Sequence, residues 1–331
     1  MQSLARLTKV IGMVENSYVD DLNLSQVVDK SIAGLLLQLD AHSNFMNEKD
    51  FKDLQEQTSG EFGGLGIQIG MKDSALTVIA PIEGTPADKK GIKANDVILR
   101  IDGNSTIGMS LDEAVSKMRG KPKTDVTITI VRKGENKPFD VKITRDIIKS
   151  QSVYAKTIES ENMLYLRVTN FDAKVTADAK RIINENKDAK GIILDLRNNP
   201  GGLLDQAIGL VNLFVNSGVI VSQRGQKKEE NIEYKADSAK KITNLPLVVL
   251  VNGGSASASE IVSGALQDLK RGIIVGEKTF GKGSVQAILP VSEKEALRLT
   301  IARYYLPSGR SIQAVGVTPD ILVSAGKVAT D

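Results

Sequence analysis

Three patterns of apolar and polar positions follow one another along the chain. Up to about residue 58 the apolar residues recur at helical spacing: Leu4, Leu7, Val10, Ile11 and Val14, then Val27, Val28, Ile32, Leu35 and Leu36. A shorter helix is predicted over 50–54. This region is too small and amphipathic to hold a core of its own, so it is expected to pack on the body or on a second subunit. Four glycines in the seven residues from Gly60 to Gly66 end it. Short strand patterns follow at 66–71, 76–79, 96–101, 126–132 and 139–143. They are interrupted by a helix that Ser110 caps and Gly120 stops, with Leu111, Ala114, Val115 and Met118 on its apolar side. Strands with a single long helix suggest a small β-rich module. From about residue 150 strands and helices alternate. Strands are predicted at 163–168, 191–196, 219–222, 247–251, 273–275 and 296–304, and helices at 176–186, 203–215 and 257–270. That alternation predicts an α/β core. The charged stretch 226–238 is expected to be an exposed excursion.

Composition narrows the chemistry. A chain of 331 residues is long enough for two or three domains. A net charge of +3 gives no electrostatic case for a nucleic-acid partner. With no cysteine there is no disulfide, thiolate metal site or cysteine nucleophile, and one histidine, His42, excludes a histidine-rich zinc site. No apolar run approaches a membrane span, and the start, Met1 to Leu7, lacks a signal-peptide core. As given the chain reads as soluble, and removal of a targeting segment is compatible with it.

Three segments of the α/β part carry candidate chemistry. Leu247 to Val251 is an apolar strand, followed by Asn252-Gly253-Gly254 and then Ser257 at a helix start. There a hydroxyl meets the positive end of a helix, although a Ser/Ala run also serves simply as a cap. Lys282 lies 25 residues on in a glycine-bracketed loop. Burial beside Phe280 and Val285 would lower its pKa and make it a base, with Gln286 to orient it. A solvated loop lysine is the plainer alternative. Ile192 to Asp195 leads into Asn198-Asn199-Pro200-Gly201-Gly202. The backbone N–H groups of this turn suit an oxyanion, and a purely structural turn is the competing reading.

Together these segments resemble the carboxy-terminal processing proteases, Ser–Lys peptidases that carry a PDZ domain. The resemblance rests on Gly60-Glu61-Phe62-Gly63-Gly64-Leu65-Gly66-Ile67, Leu194-Asp195-Leu196-Arg197-Asn198-Asn199-Pro200-Gly201-Gly202, Gly254-Ser255-Ala256-Ser257-Ala258-Ser259-Glu260 and Gly281-Lys282-Gly283-Ser284-Val285-Gln286. Tyr304 to Arg310 and Gly316 to Asp320 extend it towards the C-terminus. One departure is Ala41, where the family commonly has proline before the His-Ser pair, here His42-Ser43.

The resemblance implies a crotonase-like β/α spiral protease core (148–331), a PDZ domain (59–147) and an N-terminal helical region (1–58) suited to dimerisation. It makes Ser257, rather than Ser255 or Ser259, the nucleophile, Lys282 the base and Gln286 its support. The oxyanion hole would come from the N–H groups of Ala258 and Gly202, with Gly201 the alternative. His42 would have a structural role. Gly64, Leu65, Gly66 and Ile67 would hold a substrate's terminal carboxylate, and Leu111, Val115 and Met118 would line a groove for apolar C-termini. Core packing competes for these last three. Arg119 at the rim is a candidate for coupling peptide binding to activity.

The expected function is thus a serine endopeptidase acting near protein C-termini, without metal or organic cofactor. Its partners would be protein or peptide substrates with free apolar C-termini and a second copy in a homodimer, with no nucleic acid and with membrane association only through a segment absent from this chain. The family points to the bacterial periplasm or cell envelope. Two other readings keep part of the pattern: an inactive PDZ peptide-binding scaffold, and a crotonase-like acyl-CoA enzyme.

Overall fold

The computed structural model describes residues 2–324, so residues 325–331 of the expected C-terminal segment lie outside it. The chain starts with α1 (Gln2–Ser17) and α2 (Leu24–Leu37), then β1 (Asn44–Met46) and α3 (Glu48–Ser59). No side chain of α1 is buried, and Leu4, Leu7, Val10, Met13 and Val14 stay exposed along it. Asp40 ties down the turn after α2 by accepting from the backbone N–H groups of His42 and Ser43 and from the Ser43 hydroxyl. That turn delivers β1 to the edge of a sheet in the α/β part, against the strand Ala296–Tyr305.

The chain divides into two compact units, residues 59–151 and the remainder. The smaller unit contains β2 (Glu61–Gly64), β3 (Ile67–Lys72), β4 (Ala75–Pro81), α4 (Pro86–Lys89), β5 (Val97–Ile101), β6 (Asn104–Ser105), α5 (Leu111–Met118), β7 (Asp125–Val131), β8 (Phe139–Thr144) and β9 (Asp146–Lys149). Its main sheet runs β3-β4-β5-β7-β8, and β2 pairs separately with β9. Alternation drives β7: Val126, Ile128 and Ile130 are buried while the residues between them face outward. In α5, Ser110 and Glu113 form a reciprocal capping box, so the chain enters the helix with its first donors satisfied. Ala114 and Met118 then reach the core formed by the strands.

The larger unit continues with β10 (Val153–Ile158), β11 (Met163–Val168), α6 (Val175–Glu185), β12 (Gly191–Asp195), α7 (Leu204–Asn212), β13 (Val219–Gly225), β14 (Ile232–Lys235), β15 (Leu247–Val251), α8 (Ala258–Asp268), β16 (Ile273–Gly276), β17 (Ser284–Pro290), β18 (Ala296–Tyr305) and β19 (Ile321–Leu322). One sheet runs β10-β11-β12-β15-β16-β19, parallel from β11 to β19. The other runs β1-β18-β13-β14, with β17 also on β18. In β12 every residue but one is buried, the mark of a parallel strand covered on both faces. The first nine residues of α8 are all buried, so the helix lies inside the unit.

Three local expectations change. The stretch 226–238 is not simply an excursion: β14 lies within it, paired with β13, and Tyr234 packs against the core. Helix α7 stops at Asn212 rather than running to Val215. The buried Asn212 amide donates to the carbonyls of Val215 and Asp237 and accepts from the Asp237 N–H, which draws the chain out of the helix. The residues after Lys282 form a seven-residue strand, β17, which no strand pattern announced.

Candidate active site

The site is built where β12 and β15, neighbours in the parallel sheet, end side by side. Two turns leave these strands and are sewn together by polar side chains. Asn252 Oδ1 accepts from the N–H groups of Asn198 (2.9 Å) and Gly254 (3.0 Å), and Asn252 Nδ2 donates to Asn198 Oδ1 (2.9 Å). Ser255 Oγ donates to the Leu196 carbonyl at 2.8 Å, and Ser259 Oγ to the Asn199 carbonyl at 2.9 Å. Both hydroxyls are thereby occupied in structure. Ser257, between them, lines a cavity of about 410 Å³. Its backbone is left-handed, φ 54°, a conformation that costs a non-glycine residue energy and that clusters at functional sites.

The Pro200-Gly201-Gly202 turn lies against this serine. A Cβ built on Gly201 would stand 2.8 Å from Ser257 Cβ and 3.0 Å from the Ala258 nitrogen, and one on Gly202 would stand 2.3 Å from the Phe171 carbonyl oxygen. Both glycines also have positive φ, so only glycine fits this approach. The Gly201 N–H is already donated to Asn199 Oδ1 at 2.9 Å. The Gly202 N–H and the Ala258 N–H, at the first position of α8, enter no hydrogen bond among the described residues. That leaves Gly202, and not Gly201, with a free donor beside Ser257.

Lys282 and Gln286 line the same cavity, with Lys282 Nζ 3.5 Å from Gln286 Oε1. Burial pushes the Lys282 amine below its ordinary value, and the charge of Arg298 adds to the effect. Val285 is buried, but Phe280 is 65 % exposed and does not cover the amine as expected. The Gln286 Nε2 is buried without a hydrogen-bond partner among the described residues. Tyr304 also lines the cavity, and burial raises its hydroxyl pKa well above the usual tyrosine value. His42 does not line the cavity.

Glu260 ties the serine and lysine segments together, a role the sequence reading did not assign. It is fully buried and accepts four hydrogen bonds: from Ser257 N–H (2.8 Å), Lys282 N–H (2.8 Å), Gly281 N–H (2.7 Å) and the Thr279 hydroxyl (2.6 Å). A signal was present, since Ser257 and Glu260 have the S-x-x-E spacing of a capping box.

In the smaller unit a cavity of about 280 Å³ is lined by Gly64, Leu65, Gly66, Ile67, Val115 and Met118, together with Phe62, Gln68, Ile69 and Arg119. Leu111 is not part of it; it lies in the first turn of α5 and is 38 % exposed. The Leu65 and Gly66 carbonyls accept from Ala87 and Ile82. The N–H groups of Leu65 and Gly66 enter no hydrogen bond among the described residues. Leu65 and Met118 also belong to the core, so packing and groove formation are shared roles. The Arg119 guanidinium stacks over the Phe62 ring at 4.4 Å. Among the described residues no cluster of acidic or histidine side chains is suited to holding a metal ion.

Known proteins match both units. A profile of peptidase family S41 matches residues 162–323, and a PDZ-domain profile matches residues 63–143. The chain is 46 % identical to the carboxy-terminal-processing protease of Bartonella bacilliformis, covering 97 % of this chain and 75 % of that protein. It is 36 % identical to the carboxy-terminal processing protease CtpA of Bacillus subtilis, covering 96 % and 68 %. The solved photosystem II D1 C-terminal processing protease is similar over 96 % of this chain and 92 % of its own, at 28 % identity and a TM-score of 0.53. A putative S41 protease from Bacteroides fragilis, at 16 % identity and a TM-score of 0.54 over 93 % and 84 %, shares the fold. With two relatives of this identity over most of their length and the S41 profile lying on the α/β core, the chain belongs to the carboxy-terminal processing proteases, PDZ-containing serine peptidases of family S41.

Proposed function

We propose that Ser257 and Lys282 form the dyad of this peptidase. The observation that carries the reading is the strained Ser257 in one cavity with a half-buried lysine of lowered pKa. Neutral Lys282, steadied by Gln286, takes the Ser257 proton as the oxygen attacks the scissile carbonyl. The N–H groups of Ala258 and Gly202 receive the developing oxyanion. Lys282 then protonates the leaving amine, and water releases the acyl-enzyme. Incubating casein with the wild type, Ser257→Ala and Lys282→Ala tests this. Cleavage should be confined to the wild type, and near-normal proteolysis by either variant would sink the assignment. The inactive-scaffold reading predicts no cleavage by any of the three. The acyl-CoA reading predicts, in addition, binding of a CoA thioester.

The groove of the PDZ unit is read as the site for apolar substrate C-termini, their carboxylate on the N–H groups of Leu65 and Gly66. Arg119, on its rim, is the candidate for passing peptide binding on to the cleft; a variant Arg119→Ala that leaves peptide affinity and cleavage unchanged removes it. The exposed apolar face of α1 is read as a homodimer contact. Sedimentation of Leu7→Glu at the same mass as the wild type would exclude that. The family points to the cell envelope, which cell fractionation checks; among the described residues no helix is long and apolar enough to cross a membrane.

A further inference from the structure

The cleft that holds Ser257 has a charge pattern that hydrolysis itself does not require. Among the described residues no aspartate or glutamate lines it, whereas Arg298 of β18 does. Other half-buried arginines of this unit have acceptors. Arg310 pairs with Asp268 and Gln267, and Arg271 donates to the carbonyls of Phe214 and Leu245. Arg298 is half-buried, yet its guanidinium has no ion pair or hydrogen bond among the described residues. Two more donors of the same wall lack acceptors among the described residues: the Ser284 hydroxyl, on a residue 7 % exposed, and Gln286 Nε2.

Strand register brings these donors together. In the antiparallel β17–β18 pair, Gln286 lies opposite Thr300 and Ile288 opposite Arg298. Opposed residues share a face of a sheet, so Arg298 is a diagonal neighbour of Gln286, with Cβ atoms about 7 Å apart. A half-buried guanidinium without a counter-charge is costly, and a carboxylate matches its fork of donors in both charge and geometry.

We propose that Arg298 is a specificity-determining residue that binds a substrate carboxylate close to the scissile bond. The carboxylate is either an aspartate or glutamate side chain or the peptide's own C-terminus. The inference rests on the peptidase reading of Ser257 and adds a carboxylate subsite in the catalytic cleft to the one in the PDZ groove.

The test measures kcat/KM with the whole chain on two peptide series. The first keeps the C-terminus amidated and compares Asp or Glu with Asn or Gln at each position flanking the cut. The second has no acidic side chain, is cut close to its end, and compares free acid with amide. The wild type should favour the carboxylate form about tenfold in one of the series. In Arg298→Gln that ratio should fall towards one, and Arg298→Lys should restore part of it. Arg298→Glu should reverse the preference in favour of Lys at the responsive position, a gain that misfolding cannot produce. An acid-over-amide preference that persists unchanged in Arg298→Gln belongs to the PDZ groove. Such persistence without a preference in the first series overturns the proposal, as does a wild type indifferent to carboxylates in both. If the wild type cleaves no peptide, the peptidase reading fails and the inference with it; if it cleaves without regard to charge, the inference alone fails.

Discussion

A lysine serves as base only in the fraction that has lost its proton, so with Lys282 as the proposed base its surroundings would set the working pH. Burial is the larger influence on it and the Arg298 charge the smaller, and both favour the neutral amine. The rate should therefore climb with pH along an acid limb that lies below the value of about 10.4 for an exposed lysine. Arg298→Gln removes a like charge, which makes protonation easier and moves that limb to higher pH. A kcat/KM profile on an uncharged peptide checks the sign, and a limb that stays in place or moves down refutes the coupling. The same depression affects stability. Between the folded and the higher unfolded pKa of Lys282 the unfolded chain holds more protons, so its contribution to stability rises with pH through that window. Glu260 is the second control at this scale. Its four donors come from the segments that carry Ser257 and Lys282, so it fixes their spacing. Glu260→Gln puts an N–H₂ where two donors point. It should lower kcat by about a hundredfold, with a loss of stability of about 1–3 kcal/mol from the unmatched donors. Unchanged kcat with lowered thermal stability would make Glu260 purely structural.

Turns between elements, more than the elements themselves, make this site, and that decides where substitutions matter. Gly201→Ala places a methyl 2.8 Å from Ser257 Cβ, whereas Gly202→Ala drives one into the Phe171 backbone. The first should cost about a hundredfold or more in kcat/KM through misplacement of Ser257, the proposed nucleophile, and of the N–H groups proposed to receive the oxyanion. Both should lower the thermal midpoint, since each methyl meets backbone at a positive φ, and the second more, because its contact with the Phe171 carbonyl oxygen is the closer one at 2.3 Å. Rate measurements paired with thermal melts separate the two, and full activity in Gly201→Ala contradicts the placement. The same contrast explains what the sequence reveals. Elements with a buried stripe, such as β7 or β12, are legible because periodicity and burial coincide. In β10 only Val153 is buried, so no alternation marks it. Strand β14 is four residues at a sheet edge with only Tyr234 turned to the core, too short an alternation to stand out in a charged stretch. The glycine and serine motifs announce the turns, but the hydroxyls of Ser255 and Ser259 are taken up by the carbonyls of Leu196 and Asn199, remote in sequence, and the Gly201 N–H by the Asn199 side chain, a local turn that the motif does not specify. The same holds for Arg298: nothing in its local sequence says that it is a diagonal neighbour of Gln286, since that follows from strand pairing alone.

Two units have separate cores, and in the proposed reading the smaller one recognises substrate while the larger one cleaves it. The smaller has its own cluster of buried residues, among them Val78, Ile98, Ile128 and Ile143, and its groove is lined entirely from within residues 59–151. Its two ends are joined by the pairing of β2 with β9, so excision leaves the termini tied together. A fragment of residues 59–151 should therefore melt in one cooperative transition and bind a peptide ending in apolar residues with a free carboxylate. Amidation of that peptide removes a charge-assisted hydrogen-bonded contact worth about 1.5–3 kcal/mol, a loss of roughly tenfold to a hundredfold in affinity. Fluorescence titration of acid and amide peptides against the fragment measures it without the catalytic cleft present. Equal affinities would show that the free N–H groups of Leu65 and Gly66 do not hold the carboxylate. Any acid preference of the whole enzyme would then have to arise in the catalytic cleft, where Arg298 lies.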